Sequence, residues 1–220
     1  MILLQRAVCA LLIVSLCGCA SLGTDMADFD IDGTASLEGY GVAGRAETVA
    51  LIKLKTAPPR LSPFHDLRYE GTALTAEFRI DTVAMNGQFT NRSATAMQLR
   101  FDQATMSSNL HPQEVPLLTW GGTVKRVLIR RPSKHALVNA LPMALQPGEV
   151  GDFTLFPSYR SLYPSRRLFG AQFEDNKTAL LESGAGNSLR LRIPVEQDGK
   201  RYSLVFELKA RQARARRVYF

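Results

Sequence analysis

Cysteine is nearly absent from this chain of 220 residues, and its three copies, Cys9, Cys17 and Cys19, all fall within the first nineteen positions. Everything after residue 19 therefore lacks a disulfide and a Cys-x-x-Cys pair for zinc or redox work. Histidine is as scarce. His65, His111 and His135 are widely separated, none stands in a His-x-x-x-His or similar ligand spacing, and each reads as a loop residue. There is no Gly-x-Ser-x-Gly elbow, no P-loop and no dinucleotide fingerprint. Gly184-Ala185-Gly186 offers two glycines only, and it follows the helical pattern of 176–182 where a phosphate cradle would open one. Acidic neighbours such as Glu174-Asp175 would point to opposite faces of a strand, so they make no carboxylate dyad there. These absences leave no catalytic residue, no metal ligand and no cofactor to name, and the chain is not expected to be an enzyme. Nor does the apolar run at the start, Val8 to Leu16, reach the length of about 20 residues that a membrane span needs.

That run has another meaning. Arg6 precedes it, and Leu16-Cys17-Gly18-Cys19 closes it: a short charged start, an apolar stretch, then small residues, the order of a secretory signal. The closing four residues resemble the lipobox of bacterial lipoproteins. The resemblance implies cleavage before Cys19, with lipid on its thiol and its amino group; Cys17 departs from the Ala, Ser or Thr more usual at its position. Two or three acyl chains hold stably, because each buried methylene contributes about 0.8 kcal/mol. Ala20 stands where lipoproteins retained in the inner membrane often carry Asp. The resemblance therefore implies the outer membrane of a Gram-negative bacterium, facing the periplasm, with residues 1–18 as signal peptide.

Removing 1–18 takes away one basic residue, Arg6, leaving 26 basic against 20 acidic side chains and a net charge of about +6. Such an excess suits anionic lipid headgroups or cell-wall polymers and is not in itself a nucleic-acid footprint. Residues 19–63 read as a flexible tether. Ala20 to Gly44 is small and acidic, with Asp25, Asp28, Asp30, Asp32 and Glu38, and has little apolar surface to offset its ordering entropy; the alternative is an irregular edge strand through Phe29, Ile31 and Leu37. Thr48 to Lys55 is apolar and of strand length, and Pro58, Pro59 and Pro63 close it.

From residue 64 the period is that of β-structure. Leu74, Ala76, Phe78 and Ile80 alternate with Thr75, Glu77 and Arg79; Val83, Met85, Gly87 and Phe89 continue, and Met97, Leu99 and Phe101 follow. Val124 to Ile129 and Phe153 to Phe156 make further strands, and Asn176 to Glu182 has a helical pattern stopped at Gly184. The strongest local signal is Gln197-Asp198-Gly199-Lys200 between two alternating runs, 189–195 and 202–208, which predicts a hairpin. Pro194 is then expected where the ladder needs no N–H.

About seven short strands without a helical period predict an all-β fold, an antiparallel sandwich rather than a βαβ unit. Over residues 72–157 the pattern resembles the single immunoglobulin-like domains of bacterial envelope proteins: a strand ending in Asn91-x-Ser93, then Met97-x-Leu99-x-Phe101, then a Pro147-Gly148 turn before an apolar strand ending at Pro157. The resemblance implies an antiparallel immunoglobulin-like β-sandwich over 64–220 and carries no activity with it.

Two basic features are candidate partner-binding sites. Residues 158–169 interleave Tyr159, Tyr163 and Phe169 with Arg160, Arg166 and Arg167 in a loop; the alternative is that the aromatics close the end of the core. The end of the sequence carries Lys209, Arg211, Arg214, Arg216 and Arg217 before Val218-Tyr219-Phe220, either a basic tail for an anionic surface or a solvated continuation of the last strand. The expectation is a lipid-anchored module that binds a protein partner in an envelope complex. The alternative is binding of anionic cell-wall or lipid components through the arginines.

Overall fold

The computed structural model describes residues 23–40, 47–54, 66–80, 84–120, 137–159 and 186–219, with backbone alone at 23–29, 47 and 212–219. The period-2 runs become strands where predicted. Leu74–Ile80 forms β5, with Leu74, Ala76, Phe78 and Ile80 buried and the residues between them half-buried. Met85–Asn91 is β6, and Val150–Pro157 is β12. Ser188–Gln197 and Lys200–Tyr219, β13 and β14, flank a two-residue turn in which Asp198 (φ 51°) and Gly199 (φ 71°) both adopt the positive φ that an Asp-Gly hairpin requires. Pro194 sits between the stretch of β13 paired with β8, Thr105–Ser108, and the stretch paired with β7, Met97–Leu99. The ladder on that side is interrupted there, so the missing N–H falls in the interval.

Phe101 does not extend β7. It starts a one-turn 3-10 helix, Phe101–Gln103, that turns the chain between β7 and β8. Further strands are β4 (Asp66–Glu70), β9 (Val115–Trp120), β10 (Leu137–Asn139) and β11 (Met143–Leu145). The segments 124–129 and 176–182 lie outside the described residues.

The largest correction concerns the two ends. The segment expected to be a tether forms β1, Gly23–Glu38, paired antiparallel along its whole length with β14. It folds because Ile31, Ala35 and Leu37 recur on one face and reach the core, each 7% exposed or less. The body therefore begins well before residue 64. Likewise the arginine-rich end is the second half of β14, so the strand-continuation alternative holds over the tail. A register shift between Asp30 and Ile31 leaves Arg211 as the extra residue of a bulge.

All the pairings are antiparallel, and the sheet order is β2-β1-β14-β13-β8-β9-β12-β6-β5-β4-β3. Its two outermost members, β2 (Glu47–Ala50) and β3 (Ile52–Leu54), are consecutive in sequence with only Leu51 between them. β2 pairs with β1, and β3 pairs with β4. One bent run of eight residues thus joins both ends of the sheet, which curls nearly closed into a barrel-like shape. The Leu51 N–H, freed at the bend, donates to the Gly33 carbonyl at 2.9 Å.

The curl brings two aromatic groups together across the interior. Phe206 of β14 meets Phe78 edge-on at 5.0 Å and Tyr69 at 6.0 Å, while Phe89 stacks on Phe153 at 4.7 Å with Phe101 alongside. Each such burial is worth about 1.5–3 kcal/mol against exposure. Gly87 of β6 makes the close approach possible, because a Cβ there would lie 2.6 Å from the Cβ of Phe78.

Candidate functional site

Outside the barrel, β8, β13, β14 and β1 present polar residues at alternate positions. Across this face an open groove of about 730 Å³ runs from Ser107 and Asn109 to Thr34 and Ala50. Its floor is made by strand periodicity: Ser188 and Arg190 on β13 and Glu207 and Lys209 on β14 are exposed, while Leu189, Leu191, Phe206 and Leu208 between them are buried. One wall is braced by Asn109, which accepts the Ser188 N–H at 2.8 Å and donates to Asn187 Oδ1 at 3.0 Å.

The charges of the groove are largely engaged with one another. Arg190 lies 3.8 Å from Glu207. Asp32 accepts Arg211 Nε at 2.8 Å and lies 2.6 Å from Lys53 Nζ, which also donates to Asp30 at 2.5 Å. The hydrogen bond from Lys53, followed by its charge and that of Arg211, holds the Asp32 carboxyl below the usual carboxylate range. Burial works against the charged form of Lys53, but the hydrogen bonds to Asp30 and Asp32 outweigh it and raise its pKa. Lys53 belongs to β3, the aspartates to β1 and Arg211 to β14, so this cluster spans the seam where the sheet closes. Lys209 has no carboxylate within ion-pair distance among the described residues.

Of the basic residues singled out from the sequence, Arg211 lines this groove together with Lys209. Tyr159 packs against His111 at 4.9 Å, next to the start of β9, which fits a role in closing one end of the barrel. Arg160, Tyr163, Arg166, Arg167 and Cys19 lie outside the described residues. Arg214, Arg216 and Arg217 are placed by backbone register, opposite Asp28, Met26 and Asp25 of β1. Over the paired stretch from Gly23 to Asp32 four aspartates thus stand against five cations, Lys209 included. The basic end is registered against acids and is not an isolated polycation.

Of the residues that carried the immunoglobulin-like resemblance, Asn91, Ser93 and Gly148 meet, in a structural cluster away from the groove. Asn91, 0% exposed, donates through Nδ2 to the carbonyls of Thr95 (2.8 Å) and Leu145 (3.0 Å), and its Oδ1 accepts from the Ser93 N–H (2.9 Å) and hydroxyl (2.6 Å). Its backbone accepts from Gly148 N–H at 2.8 Å and donates to Glu149 O at 3.0 Å. Gln197 joins through Ser93 and Thr95, so the motif ties the β6–β7 turn to the β11–β12 turn and to the final hairpin.

Arg190, Glu207 and Asn109 of the groove, and Lys53 beside it, were not singled out from the sequence, and Asp32 was read only as an acid of the tether. The available signal was their place as polar members of alternating runs, and that marks only a solvated face. Among the described residues no group of three or more His, Cys, Asp or Glu could hold a metal ion, and no helix is long and apolar enough to cross a membrane. No family model matches the chain, and neither a curated protein nor a solved structure matches it.

Proposed function

We propose that the chain is an outer-membrane lipoprotein, anchored through Cys19 and facing the periplasm, whose body is an immunoglobulin-like module that binds another protein of an envelope assembly through the grooved face. The observation that carries this reading is the mixed sign of the groove. Arg190, Lys209 and Arg211 alternate with Glu207 and Asp32 among hydroxyl and amide groups. Such a pattern fits a partner that presents both charges, as protein surfaces do, and it opposes a uniform polyanion at two of its five charged positions. Binding is favoured over catalysis because the titratable groups are paired with each other rather than converging on an empty point. The alternative, an anionic cell-wall or lipid ligand held by the arginines, loses weight for the same reason, since β1 sets aspartates opposite Arg214 and Arg217.

A photo-crosslinking amino acid placed at Ser188 or Thr34 tests the proposal in living cells. A discrete protein adduct is expected from these positions, absent from a control at Glu77 on β5 and lost when Glu207→Lys reverses one groove charge. Adducts that do not change with Glu207→Lys, together with salt-sensitive co-sedimentation of the protein with purified cell wall, would favour the polyanion reading.

A further inference from the structure

The last stretch of β14 has a neighbour that its sequence position conceals. β13 reaches along β14 only to Lys209, and β2 covers β1 only at 34–37. Beyond them Gly23–Asp30 and Gln212–Tyr219 run as a ribbon to which, among the described residues, no third strand is paired. Eight residues at about 3.4 Å each make it roughly 27 Å long. Its outer end sets Gly23 opposite Tyr219 and Thr24 opposite Val218.

Cys19 precedes Gly23 by four residues, a distance that extended chain spans in at most about 14 Å. A cross-strand pair adds about 5 Å. Tyr219 is thus confined to within about 20 Å of Cys19, whereas Lys200, at the other end of the same strand, lies roughly 65 Å from Tyr219 along a straight strand. We infer that the ribbon stands on the bilayer with its Tyr219 end in the headgroup layer, beside the acylated cysteine, and holds the body away from the membrane as a stiff spacer. The inference rests on the lipid-anchor reading above.

The residues at that end suit the location. Tyrosine concentrates at membrane–water interfaces, and arginine lays its apolar stem along lipid while its head stays in water. Arg216, Arg217, Val218 and Tyr219 supply this combination, with Met26 and Thr24 across the register. The ribbon carries three aspartates, Asp25, Asp28 and Asp30, and three arginines, Arg214, Arg216 and Arg217, so the contact is predominantly interfacial rather than coulombic and persists in high salt.

The test uses the full acylated protein in vesicles of phosphatidylethanolamine and phosphatidylglycerol. Once Cys19 is acylated no thiol follows the signal, so Tyr219→Cys can carry a single environment-sensitive fluorophore. A lipid bearing a nitroxide at the headgroup is expected to quench it roughly twofold or more, with emission shifted to the blue and unchanged by salt. Thr24→Cys, opposite Val218, should behave alike, which keeps the test alive if the Tyr219 variant fails to fold. A fluorophore at Lys200→Cys should stay unquenched. Equal, water-like emission at 219, 24 and 200 overturns the inference. The mass of the N-terminal peptide shows separately whether the anchor is present, so failure of the ribbon geometry is distinguishable from failure of the lipoprotein reading.

Discussion

Asn91→Ala is the substitution that examines the fold most directly. The side chain is fully buried, and both of its amide ends are satisfied by four hydrogen bonds of 2.6–3.0 Å. Each intramolecular bond contributes about 0.5–1.5 kcal/mol net, and a stranded buried group costs about 1–3 kcal/mol. Not every partner is stranded. With Asn91 gone, the Ser93 hydroxyl, 2.8 Å from the Thr95 carbonyl, gives its single proton there, and Ser93 is part-exposed, so water replaces part of what is lost. The Leu145 carbonyl is buried with Asn91 and carries most of the penalty. The expected cost is about 3 kcal/mol, a large share of a total stability of about 5–15 kcal/mol. In a chain of this size that corresponds to a melting temperature lower by roughly 6–12 °C. Urea titration followed by Trp120 emission and by circular dichroism should give coincident transitions at a lower midpoint with unchanged slope. Asn91→Asp should be no better, because a carboxylate oxygen would face two carbonyls. A loss below about 1 kcal/mol for Asn91→Ala would refute the idea that this amide joins the two turns.

Three further expectations follow from packing, charge and register. Gly87→Ala forces a Cβ to within 2.6 Å of the Cβ of Phe78 and should destabilise by about 1–3 kcal/mol or abolish soluble expression; wild-type thermal stability in that variant would contradict the close β5–β6 approach. The Asp32 pKa is depressed in the folded state, so its contribution is present above the unfolded value of about 3.9 and is lost as pH falls through the folded one. Lys53→Met should therefore raise the Asp32 pKa in an NMR titration and cost under about 1 kcal/mol at neutral pH, the cluster being partly exposed, with the difference from wild type vanishing in acid; an unmoved Asp32 would break the assigned pairing. Truncation after Arg211 removes eight cross-strand pairs, so amide protection at Thr24 to Asp30 should vanish while that at Ile31 to Leu37 stays; retained protection at both would mean that β1 does not depend on β14 there.

The most legible strands have at least three apolar residues at strict alternation, as in 74–80, 189–195 and 202–208. β1 was hidden because its apolar positions, Ile31, Ala35 and Leu37, are small or interrupted by Gly33, and the acids between them dominate its composition. β4, β8, β10 and β11 have three to five residues each, too few to show a period. The basic end read as a tail because its arginines lie beyond the last apolar alternation. What orders it is the complementary strand almost two hundred residues earlier, which no local window contains. The candidate groove was not legible at all, since it arises where β1 and β8, distant in sequence, flank the β13–β14 hairpin. The Asn91, Ser93 and Gly148 motif was legible, and its residues meet, because local turn chemistry at each end was enough to mark it.

The pairing of β1 with β14 also determines how the molecule bears mechanical load. Tension entering the chain ahead of Gly23 and directed along the ribbon passes straight up β1 into the body, where Ile31 to Glu38 lies between β14 and β2. Extracting β1 in that direction slides it past its neighbours and strains many rungs at once, a shear geometry that fails only at high force. The same tension applied sideways opens the ribbon at Gly23 and Tyr219 and then proceeds one rung at a time, as a zipper does. A molecule tethered at this end would resist being pulled away from its support and yield when dragged across it.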